Sequence, residues 1–416
     1  MGVKIPGFKH LTKNKELLIM DAPEYVYIPL IVAGNTDVTV KIRKGSQVKI
    51  GSVVAVSDKF DLPILSSVSG VVEGFEEKYA YNGLLVKTVK IKNDFNDSYL
   101  KSEVKEIDKY LKKEFIEVLK NFGIRGMGGA DFPTYIKYDT KGIKSLIINA
   151  VECEPYITSD YTLLKSEASK ILEAVDAIMS ILKIPNAYIA VKKTNKEAIS
   201  KLKENIGTYP KIKIVIVPDI YPMGWEKNLV KYILHKDYKK LPIEVGAVVS
   251  NVSTINSIYY ALKYGQALSS RIVTFAGTGL KKNVNCLVRI GTDISSILDK
   301  LGHKKKDLIL ISGGPMLGRA IEDEHIVITS NLNAILLIRD TDTPIVSSCI
   351  RCGKCASVCP NKLSPVLIKE NLNDLEELKK LHPERCIECG LCSYICPAKL
   401  ELREYMIKAK EKVGGK

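Results

Sequence analysis

The clearest chemistry in this sequence comes from cysteines in its last fifth. Eight of the ten cysteines lie between residues 349 and 396, in two runs with the same spacing, C-x2-C-x2-C-x3-C-P. This spacing is typical of bacterial ferredoxins, in which three thiolates of one run bind one cluster and the fourth binds the other. The pattern therefore predicts two 4Fe–4S clusters. The expected ligand sets are Cys349, Cys352, Cys355 and Cys396 for one cluster, and Cys386, Cys389, Cys392 and Cys359 for the other.

Clustered thiols can also bind zinc or form disulfides. Zinc sites use paired C-x2-C knuckles rather than eight cysteines in this phase. The N-terminal residues contain no apolar stretch of signal-peptide length, so we expect a reducing compartment, which disfavours disulfides. Of the two separate cysteines, we interpret Cys286 as a core residue. We interpret Cys153 as part of a pocket wall, because no histidine accompanies it in the sequence.

A glycine-rich segment from Asn121 to Lys137 is a second candidate site. Backbone N–H groups beside glycine are open to a phosphate or a flat ring, because no Cβ stands in the way. Lys137 is placed to neutralise a phosphate. The segment matches neither a Walker loop nor a GxGxxG fingerprint, so a plain turn is the alternative. Its glycines are Gly123, Gly126, Gly128 and Gly129.

Strand and helix patterns alternate around this segment. The alternation predicts a doubly wound parallel sheet, which binds ligands at the carboxyl ends of its strands. Asn149 lies near the end of the first strand, and Glu152 and Glu154 follow that strand. One asparagine and two carboxylates at a strand's carboxyl end suit binding of a ring or a sugar; a polar loop is the alternative. The predicted strands are 145–150, 186–191 and 213–218, and the predicted helices are 101–123, 163–182, 195–206 and 226–236.

Short β-type runs flank this region on both sides. Residues 25–95 predict a small sandwich or barrel, because their short strands are broken by Gly, Asn and Ser turns. The segments KIRKGSQVKIGSVVA and PILSSVSGVVEGF resemble the two halves of a biotinyl/lipoyl-type barrel-sandwich hybrid. Lys59 lies near the turn where biotinyl and lipoyl domains carry a prosthetic group, but we interpret it as an exposed turn lysine. Residues 270–340 predict a β-grasp-like unit with one short helix over 293–302 and a strand at 326–330.

These patterns predict a multidomain α/β and α+β chain. A length of 416 residues is too great for one ordinary domain. The insert between the cysteine runs has a helical pattern, so the last domain resembles the helical ferredoxins. The expected domains are a barrel-sandwich-hybrid-like β module with its N-terminal segment (1–98), a Rossmann-like doubly wound domain (99–265), a β-grasp-like domain (266–342) and a helical two-cluster ferredoxin-like domain (343–416).

Composition excludes several classes of protein. Apolar residues make up 46% and charged residues 26%, which excludes a disordered chain, a collagen and a coiled-coil rod. The longest uncharged stretch, Val245 to Leu262, carries six polar residues, so we expect no spanning helix. The net charge of +15 favours encounters with acidic partners. We expect no nucleic-acid partner, because no basic block with interleaved aromatic residues is present.

Several motifs together resemble one family of electron-transport proteins. These are the glycine run, IINAVECEPYITSDY, YPMGWEKNL, SNVSTINSI, SGGPMLG and the paired cysteine runs, in this order along nearly the whole chain. They resemble the flavoprotein subunit of respiratory complex I. They are more similar still to the C subunit of the Rnf-type ion-translocating electron-transport complex.

The resemblance implies an FMN site and a nearby dinucleotide. Glu154 and Glu226 match carboxylates that the relatives place near the nicotinamide. Asp131, Val151 and Trp225 depart from the family pattern, and no aromatic residue follows Lys137 at the relatives' NADH-stacking spacing. Trp225 is interpreted either as a packed core aromatic or as a ring over the flavin. The implied FMN site contains Gly126, Gly128, Gly129, Lys137, Asn149, Glu152, Tyr221, Gly224, Ser250, Asn251 and Thr254.

The same resemblance implies the function. Electrons would pass between NADH, FMN and two 4Fe–4S clusters, with no side chain as catalytic acid or base. The chain would be a peripheral subunit on the cytoplasmic face of the cell membrane. It would dock on membrane subunits, with ferredoxin as a further candidate partner, in a complex that moves Na+ or H+. The alternatives are a soluble NADH-dependent cobalamin reductase and a cluster-bearing wiring or scaffold subunit without an active flavin site.

Overall fold

The computed structural model describes residues 2–303, 308–339 and 345–414. It contains a β module, a parallel sheet with helices, a mixed sheet and a helical C-terminal region. In the described ranges, no helix combines the length and the apolar character that crossing a membrane requires. The expected domain limit between 342 and 343 lies outside the described residues. Short 3₁₀ helices cover Lys9–Leu11, Ile206–Thr208, Pro242–Val245 and Pro383–Arg385.

The β module packs two small antiparallel sheets around one core. Alternate residues of its strands point inward, including Val26, Ile28, Val89 and Ile91, which are almost fully buried. Lys59 lies in an exposed turn, as expected. The first strand of the chain, β1, joins a later sheet instead. The strands are β1 (Leu18–Ile19), β2 (Tyr25–Pro29), β3 (Val38–Val40), β4 (Gln47–Val48), β5 (Val53–Ser57), β6 (Leu62–Leu65), β7 (Gly70–Tyr79) and β8 (Leu85–Asn93), in sheets ordered β2-β8-β7-β4 and β3-β5-β6.

The second region is a four-stranded sheet in which every pairing is parallel. Ile148 of its first strand faces a core shared with α3 and α6, and Ile147 faces a second core with α5. Helices therefore cover both faces, as the alternating pattern predicted. The elements are α1 (Lys112–Asn121), α2 (Thr134–Tyr138), β9 (Ser145–Ala150), α3 (Ser159–Leu182), β10 (Asn186–Lys192), α4 (Lys196–Asn205), β11 (Ile212–Val217), α5 (Glu226–Leu234), β12 (Ala247–Asn251) and α6 (Val252–Tyr264).

Helix α1 is shorter than the expected helix over 101–123, so that prediction was wrong for its first half. The carboxylate of Glu114 accepts a hydrogen bond from the N–H of Leu111, and this contact starts the helix at residue 112. Before it, the hydroxyl of Tyr110 donates to the carbonyl of Leu262 and accepts from the N–H of Lys105. These bonds hold the preceding segment against α6 in a non-helical form.

The third region is a mixed six-stranded sheet with one helix, ordered β1-β14-β13-β17-β15-β16. Cys286 is fully buried in its core, as expected. The strand predicted at 326–330 is absent in the described residues. Ile326 and Val327 instead form isolated bridges, Ile326 with Tyr79 at the end of β7 and Val327 with Asp293 in the segment before the next helix. The elements are β13 (Ser270–Ala276), β14 (Val284–Arg289), α7 (Ser295–Leu301), β15 (Leu308–Ser312), β16 (Arg319–Ile321) and β17 (Ala334–Arg339).

The C-terminal region is helical, as expected, and its two cysteine runs fold alike. Gly353 and Gly390 adopt left-handed backbone angles, and a four-residue helix follows each. Ile368, Leu378 and Met406 from three other helices form a small core beside them. The helices are α8 (Lys354–Ser357), α9 (Pro365–Glu370), α10 (Leu375–Lys380), α11 (Leu391–Tyr394) and α12 (Leu402–Lys412).

Candidate functional site

The parallel sheet places two asparagines at its ligand-binding edge. In the strand order β11-β10-β9-β12, successive strands are added on one side of β9, and the last strand, β12, is added on the other side. Ligands of such sheets bind at the carboxyl ends of the strands, next to the point where the order changes side. Asn251 is the last residue of β12, and its register partner Asn149 is the last but one of β9. The amide of Asn149 donates to the carbonyl of Gly224 over 2.7 Å, and the Asn251 side chain caps α6 by accepting from the N–H of Ser253.

The glycine-rich loop crosses the same edge. The N–H of Met127 donates to the hydroxyl of Thr254 over 2.9 Å, which ties the loop to the first turn of α6. A Cβ on Gly128 would lie 3.3 Å from the Cβ of Asn251. A Cβ on Gly129 would meet nothing within 4 Å, so one side of the loop is open. The loop is fixed on one side and free on the other, which fits a ligand lying on its backbone.

Lys137 and Glu226 reach this edge from two further elements. The ammonium group of Lys137 lies 3.6 Å from the Glu226 carboxylate and donates to the carbonyl of Val249. The next residue, Tyr138, is fully buried and its hydroxyl lies 2.8 Å from that of Ser250. The structure thus brings most of the sequence-predicted flavin residues to one edge. The Lys137 ammonium, paired with Glu226, stands at the same sheet edge as the loop, and a cationic group there fits a phosphate-bearing ligand.

Glu152 is directed toward helix α3. Its carboxylate accepts from the N–H of Asp160 over 2.8 Å and from the hydroxyl of Ser159 over 3.2 Å. A negative group is favourable at a helix N-terminus, because the unpaired N–H groups there carry partial positive charge. Burial raises the pKa of Glu152, and the nearby ammonium of Lys9 opposes that shift. The expected contact of Glu152 with FMN stays a prediction.

Glu154 is a buried carboxylate with spare hydrogen-bonding capacity. Its Oε2 accepts from the N–H of Met316 over 3.1 Å, and its Oε1 has no partner among the described residues. Burial raises the pKa of Glu154 to about 7. Next to it, burial and the Glu154 charge raise the pKa of the Cys153 thiol to about 11. Cys153 is therefore protonated at neutral pH and packs in the hydrophobic cluster of Tyr221 and Trp225, and its place in a pocket wall stays a prediction.

The N-terminal segment packs against the loop after β9, a contact that the sequence alone did not indicate. The ammonium of Lys9 donates to the backbone carbonyls of Glu154 and Ile157. The ring of Phe8 stacks on that of Tyr156 with centroids 4.7 Å apart. Burial lowers the pKa of Lys9 to about 8. The segment fixes the loop after β9, but a lone lysine 145 residues away gives no signal in the sequence.

Tyr221 connects this edge with the cysteine region. Its hydroxyl donates to the backbone carbonyl of Cys389 over 2.6 Å. Trp225 is half-buried and packs in the same hydrophobic cluster as Tyr221, Cys389 and Leu391. Trp225 therefore packs between the sheet and the cysteine region, and the alternative of a ring over the flavin stays a prediction.

Four cysteines of one predicted set line a single cavity. Cys359 comes from the first run, and Cys386, Cys389 and Cys392 come from the second. The N–H of Glu388 donates to the sulfur of Cys386 over 3.3 Å, a contact that stabilises a thiolate or a cluster ligand. A cavity lined by four cysteines from two runs fits a cubane cluster, and its residues are those that the spacing predicted.

The other predicted set is more exposed. Cys355 and Cys396 are buried in one hydrophobic cluster, whereas Cys349 and Cys352 are open to solvent. The N–H of Arg351 donates to the sulfur of Cys349 over 3.4 Å. Within the described ranges, no three cysteine, histidine or carboxylate side chains are grouped so closely that they could hold a single metal ion. The ligand assignments of both sets therefore stay predictions, and that of the exposed set rests on its spacing alone.

Three family models match successive parts of the chain. Residues 1–96 match the RnfC barrel sandwich hybrid domain, residues 119–260 match the Nuo51 FMN-binding domain, and residues 348–400 match the 4Fe-4S dicluster domain. These matches confirm the expected fold class. They also confirm an FMN-binding domain and an iron–sulfur domain in the expected order.

Relatives of established name match most of the chain. The C subunit of a proton-translocating ferredoxin:NAD(+) oxidoreductase complex from Clostridium ljungdahlii is 34% identical, over 88% of this chain and 82% of the relative. The C subunit of a Na(+)-translocating ferredoxin:NAD(+) oxidoreductase complex from Acetobacterium woodii is 32% identical, over 89% and 86%. The C subunit of an ion-translocating oxidoreductase complex from Rhodobacter capsulatus is 31% identical, over 91% and 76%.

A solved structure shares the fold at low identity. In the crystal structure of an NAD+-reducing [NiFe]-hydrogenase in the H2-reduced state, one chain superposes with a TM-score of 0.51 and 14% identity. The superposition covers 74% of this chain and 64% of the hydrogenase chain. This likeness concerns the fold alone.

Proposed function

The chain belongs to the family of C subunits of ion-translocating ferredoxin:NAD(+) oxidoreductase complexes, and we propose from this that it exchanges electrons with NAD(H) through FMN and two 4Fe–4S clusters. The observation that carries the proposal is the convergence at one sheet edge. The glycine loop, Asn149, Asn251, Lys137 and Glu226 meet there from five separate segments. A single turn or polar loop would not require that convergence.

The chain's own residues bind and position the groups. When bound, FMN would supply the conversion between two-electron hydride transfer and the single-electron transfers of the clusters. The open side of the glycine loop offers backbone N–H groups to the flavin phosphate, and Lys137 supplies a positive charge. Glu154 and Glu226 border the nicotinamide position. The N-terminal segment holds the loop after β9 in place and covers it from water.

The proposal includes a place in the cell. The subunit is peripheral, on the cytoplasmic face of the membrane, and docks on subunits that couple electron flow to movement of Na+ or H+. The net charge of +15 suits an acidic electron-transfer protein such as ferredoxin or an anionic lipid surface. The names of the matched relatives favour this arrangement over a soluble cobalamin reductase.

An anaerobic preparation tests the proposal directly. We expect FMN, about eight iron and about eight sulfide per chain, and bleaching of the cluster absorbance on addition of NADH. If the protein contains flavin and iron but NADH does not bleach the cluster absorbance, an electron-wiring role would remain as the function. Colourless protein that carries only zinc would exclude both. Co-purification with membrane subunits separates the ion-translocating complex from a soluble reductase.

A further inference from the structure

Asn331 connects the mixed sheet with the glycine-rich loop. Its side chain is 2% exposed, and its amide nitrogen Nδ2 donates to the backbone carbonyl of Gly129 over 3.1 Å. The other half of the amide is also paired, because its Oδ1 accepts from the hydroxyl of Thr329 over 2.8 Å. A backbone carbonyl can only accept, so the amide must present its nitrogen to Gly129 and its oxygen to Thr329. Asn331 is therefore a directed donor to one carbonyl of the loop.

The turn that carries Asn331 is anchored in the mixed sheet on both sides. Before it, the carbonyl of Ile328 accepts from the N–H of Gly291, which follows β14, over 2.7 Å. After it, the carbonyl of Asn333 accepts from the N–H of Thr274 in β13 over 2.9 Å. Asn331 thus reaches the glycine-rich loop from a fixed support.

The carbonyl that Asn331 binds lies in the exposed part of the loop. Gly128, Gly129 and Ala130 are all exposed, and their N–H groups have no backbone acceptor in the part of the chain that the structure describes. Successive N–H groups can form a concave site for an anion when their peptide planes are turned suitably. The orientation of each peptide plane in this stretch consequently determines what the loop can bind.

Two further supports hold the ends of this exposed stretch. At one end, Met127 donates its N–H to the hydroxyl of Thr254 in α6 over 2.9 Å. At the other end, the buried carboxylate of Asp131 accepts from the N–H of Ala33 in the β module over 2.8 Å. The loop is therefore held by three regions of the fold at once. Of these three contacts, the one from Asn331 acts on the exposed stretch itself.

The peptide bond between Gly129 and Ala130 determines where the next N–H group points. This bond is trans, and in a trans peptide the C=O and N–H groups point in opposite directions. Because the carbonyl of Gly129 points toward Asn331, the N–H of Ala130 points away from the mixed sheet. A Cβ on Gly129 would meet nothing within 4 Å, so the space beside this peptide is open. A ligand can therefore approach the N–H of Ala130.

We infer that Asn331 is a positioning residue for the flavin phosphate. Its amide holds the Gly129 carbonyl toward the mixed sheet and thereby presents the N–H of Ala130 to a phosphate on the open side of the loop. This inference rests on the proposed function, because it takes FMN as the ligand of the loop. A hydrogen bond to a charged phosphate is stronger than one between neutral groups, so the orientation of this N–H contributes measurably to affinity.

FMN and riboflavin together test the inference, because riboflavin has the same ring without the phosphate. Both are titrated into the full-length chain after anaerobic removal of its flavin, and quenching of flavin fluorescence gives the two dissociation constants. Asn331→Leu removes the donor at nearly the same side-chain volume. We expect its affinity for FMN to fall about tenfold to a hundredfold, and its affinity for riboflavin to change less than about twofold. Equal losses for both ligands, or no loss for FMN, overturn the inference.

Asn93→Leu is the matched control. Asn93 is 4% exposed, and its amide also donates to a backbone carbonyl over 3.1 Å, that of Pro23. We expect Asn93→Leu and Asn331→Leu to lose similar thermal stability, but we expect Asn93→Leu to keep the wild-type affinity for FMN. If the control also loses affinity for FMN and not for riboflavin, the loss reflects general destabilisation and the positioning role is wrong.

A smaller substitution keeps the inference testable if Asn331→Leu does not fold. Asn331→Ser retains a hydroxyl for Thr329, but its side chain is one bond shorter and does not span the distance to the Gly129 carbonyl. We expect the same selective loss of affinity for FMN. If Asn331→Ser keeps the wild-type ratio of the two affinities, the inference is wrong while the proposed function stands. If the wild-type chain binds neither FMN nor riboflavin, the proposed function fails first.

Discussion

Asn149 and Asn251 lie side by side at the carboxyl edge of the parallel sheet, as register partners on β9 and β12. They are 102 positions apart, counted as 251 minus 149, yet the strand order makes their strands neighbours. Asn149 binds the Gly224 carbonyl, and Asn251 caps α6 below the glycine loop. The pair therefore links three segments of the candidate flavin site.

Gly128→Val should remove the flavin and leave the clusters. A Cβ at this position already lies 3.3 Å from the Asn251 Cβ, so the two methyl groups of valine would displace the loop. We expect a large drop in the ratio of flavin to iron in anaerobically purified protein. Gly207→Val is the control, since a Cβ there meets nothing within 4 Å. Full flavin content in Gly128→Val would mean that FMN lies elsewhere.

Asp131→Ala should destabilise the protein more than Asp131→Asn. The buried Asp131 carboxylate accepts from the N–H of Ala33 over 2.8 Å and pairs with Arg125 at 3.1 Å. Both substitutions remove the buried ion pair with Arg125, which costs about 3–5 kcal/mol, but asparagine keeps an oxygen that can accept from the N–H of Ala33. Residue 131 also has a φ of 53°, in the left-handed region, which asparagine tolerates better than alanine. The same backbone angle is a reason for the glycine that the family pattern has at this position. Thermal midpoints under anaerobic conditions give the comparison, and equal midpoints for the two variants would contradict this account.

Glu154→Gln should stabilise the protein relative to wild type only as the pH rises. The folded-state pKa is about 7, against an ordinary value of 4.5, so the folded protein retains a proton that the unfolded chain releases. The free energy of unfolding of the wild type therefore falls as the pH rises from 4.5 toward 7. Above that range, the wild type has lost up to about 3 kcal/mol that Glu154→Gln does not lose. Glutamine has no such penalty and still accepts from Met316. Thermal midpoints of both proteins across this range test the prediction, and a difference independent of pH would refute it.

Cys389→Ala should lose about half of the iron and sulfide. This cysteine lines the four-cysteine cavity, so its loss removes one cluster of about four irons and leaves the other. Cys286→Ala is the control, because Cys286 is buried in the core of the mixed sheet and belongs to neither run. Iron and sulfide analysis per chain is the measurement. Complete loss of iron in Cys389→Ala with a folded chain would argue against two independent clusters.

Local patterns were sufficient to predict most elements. The strand β9 spans 145–150, as its buried apolar run predicted, and α4 and α5 lie within one to two residues of their periodic patterns. Such patterns work because each residue's preference for a helix or a strand is set by near neighbours. The prediction failed over 101–111, where Tyr110 bonds to Leu262 in another helix. A contact of that kind leaves no periodic signal.

By itself, the sequence determined the chemistry that depends on residue type and short spacing. The two cysteine runs, the glycine loop and the alternating strands are local features, and they were enough to predict iron–sulfur clusters, a ligand loop and a parallel sheet. Only the tertiary structure decided how these parts meet. The bond from Tyr221 to Cys389, the bonds from Lys9 to the loop after β9 and the left-handed backbone of Asp131 each depend on chain segments brought together by packing. Packing depends on all the buried surfaces at once, so no single stretch of residues encodes which cysteine set lies against the flavin domain.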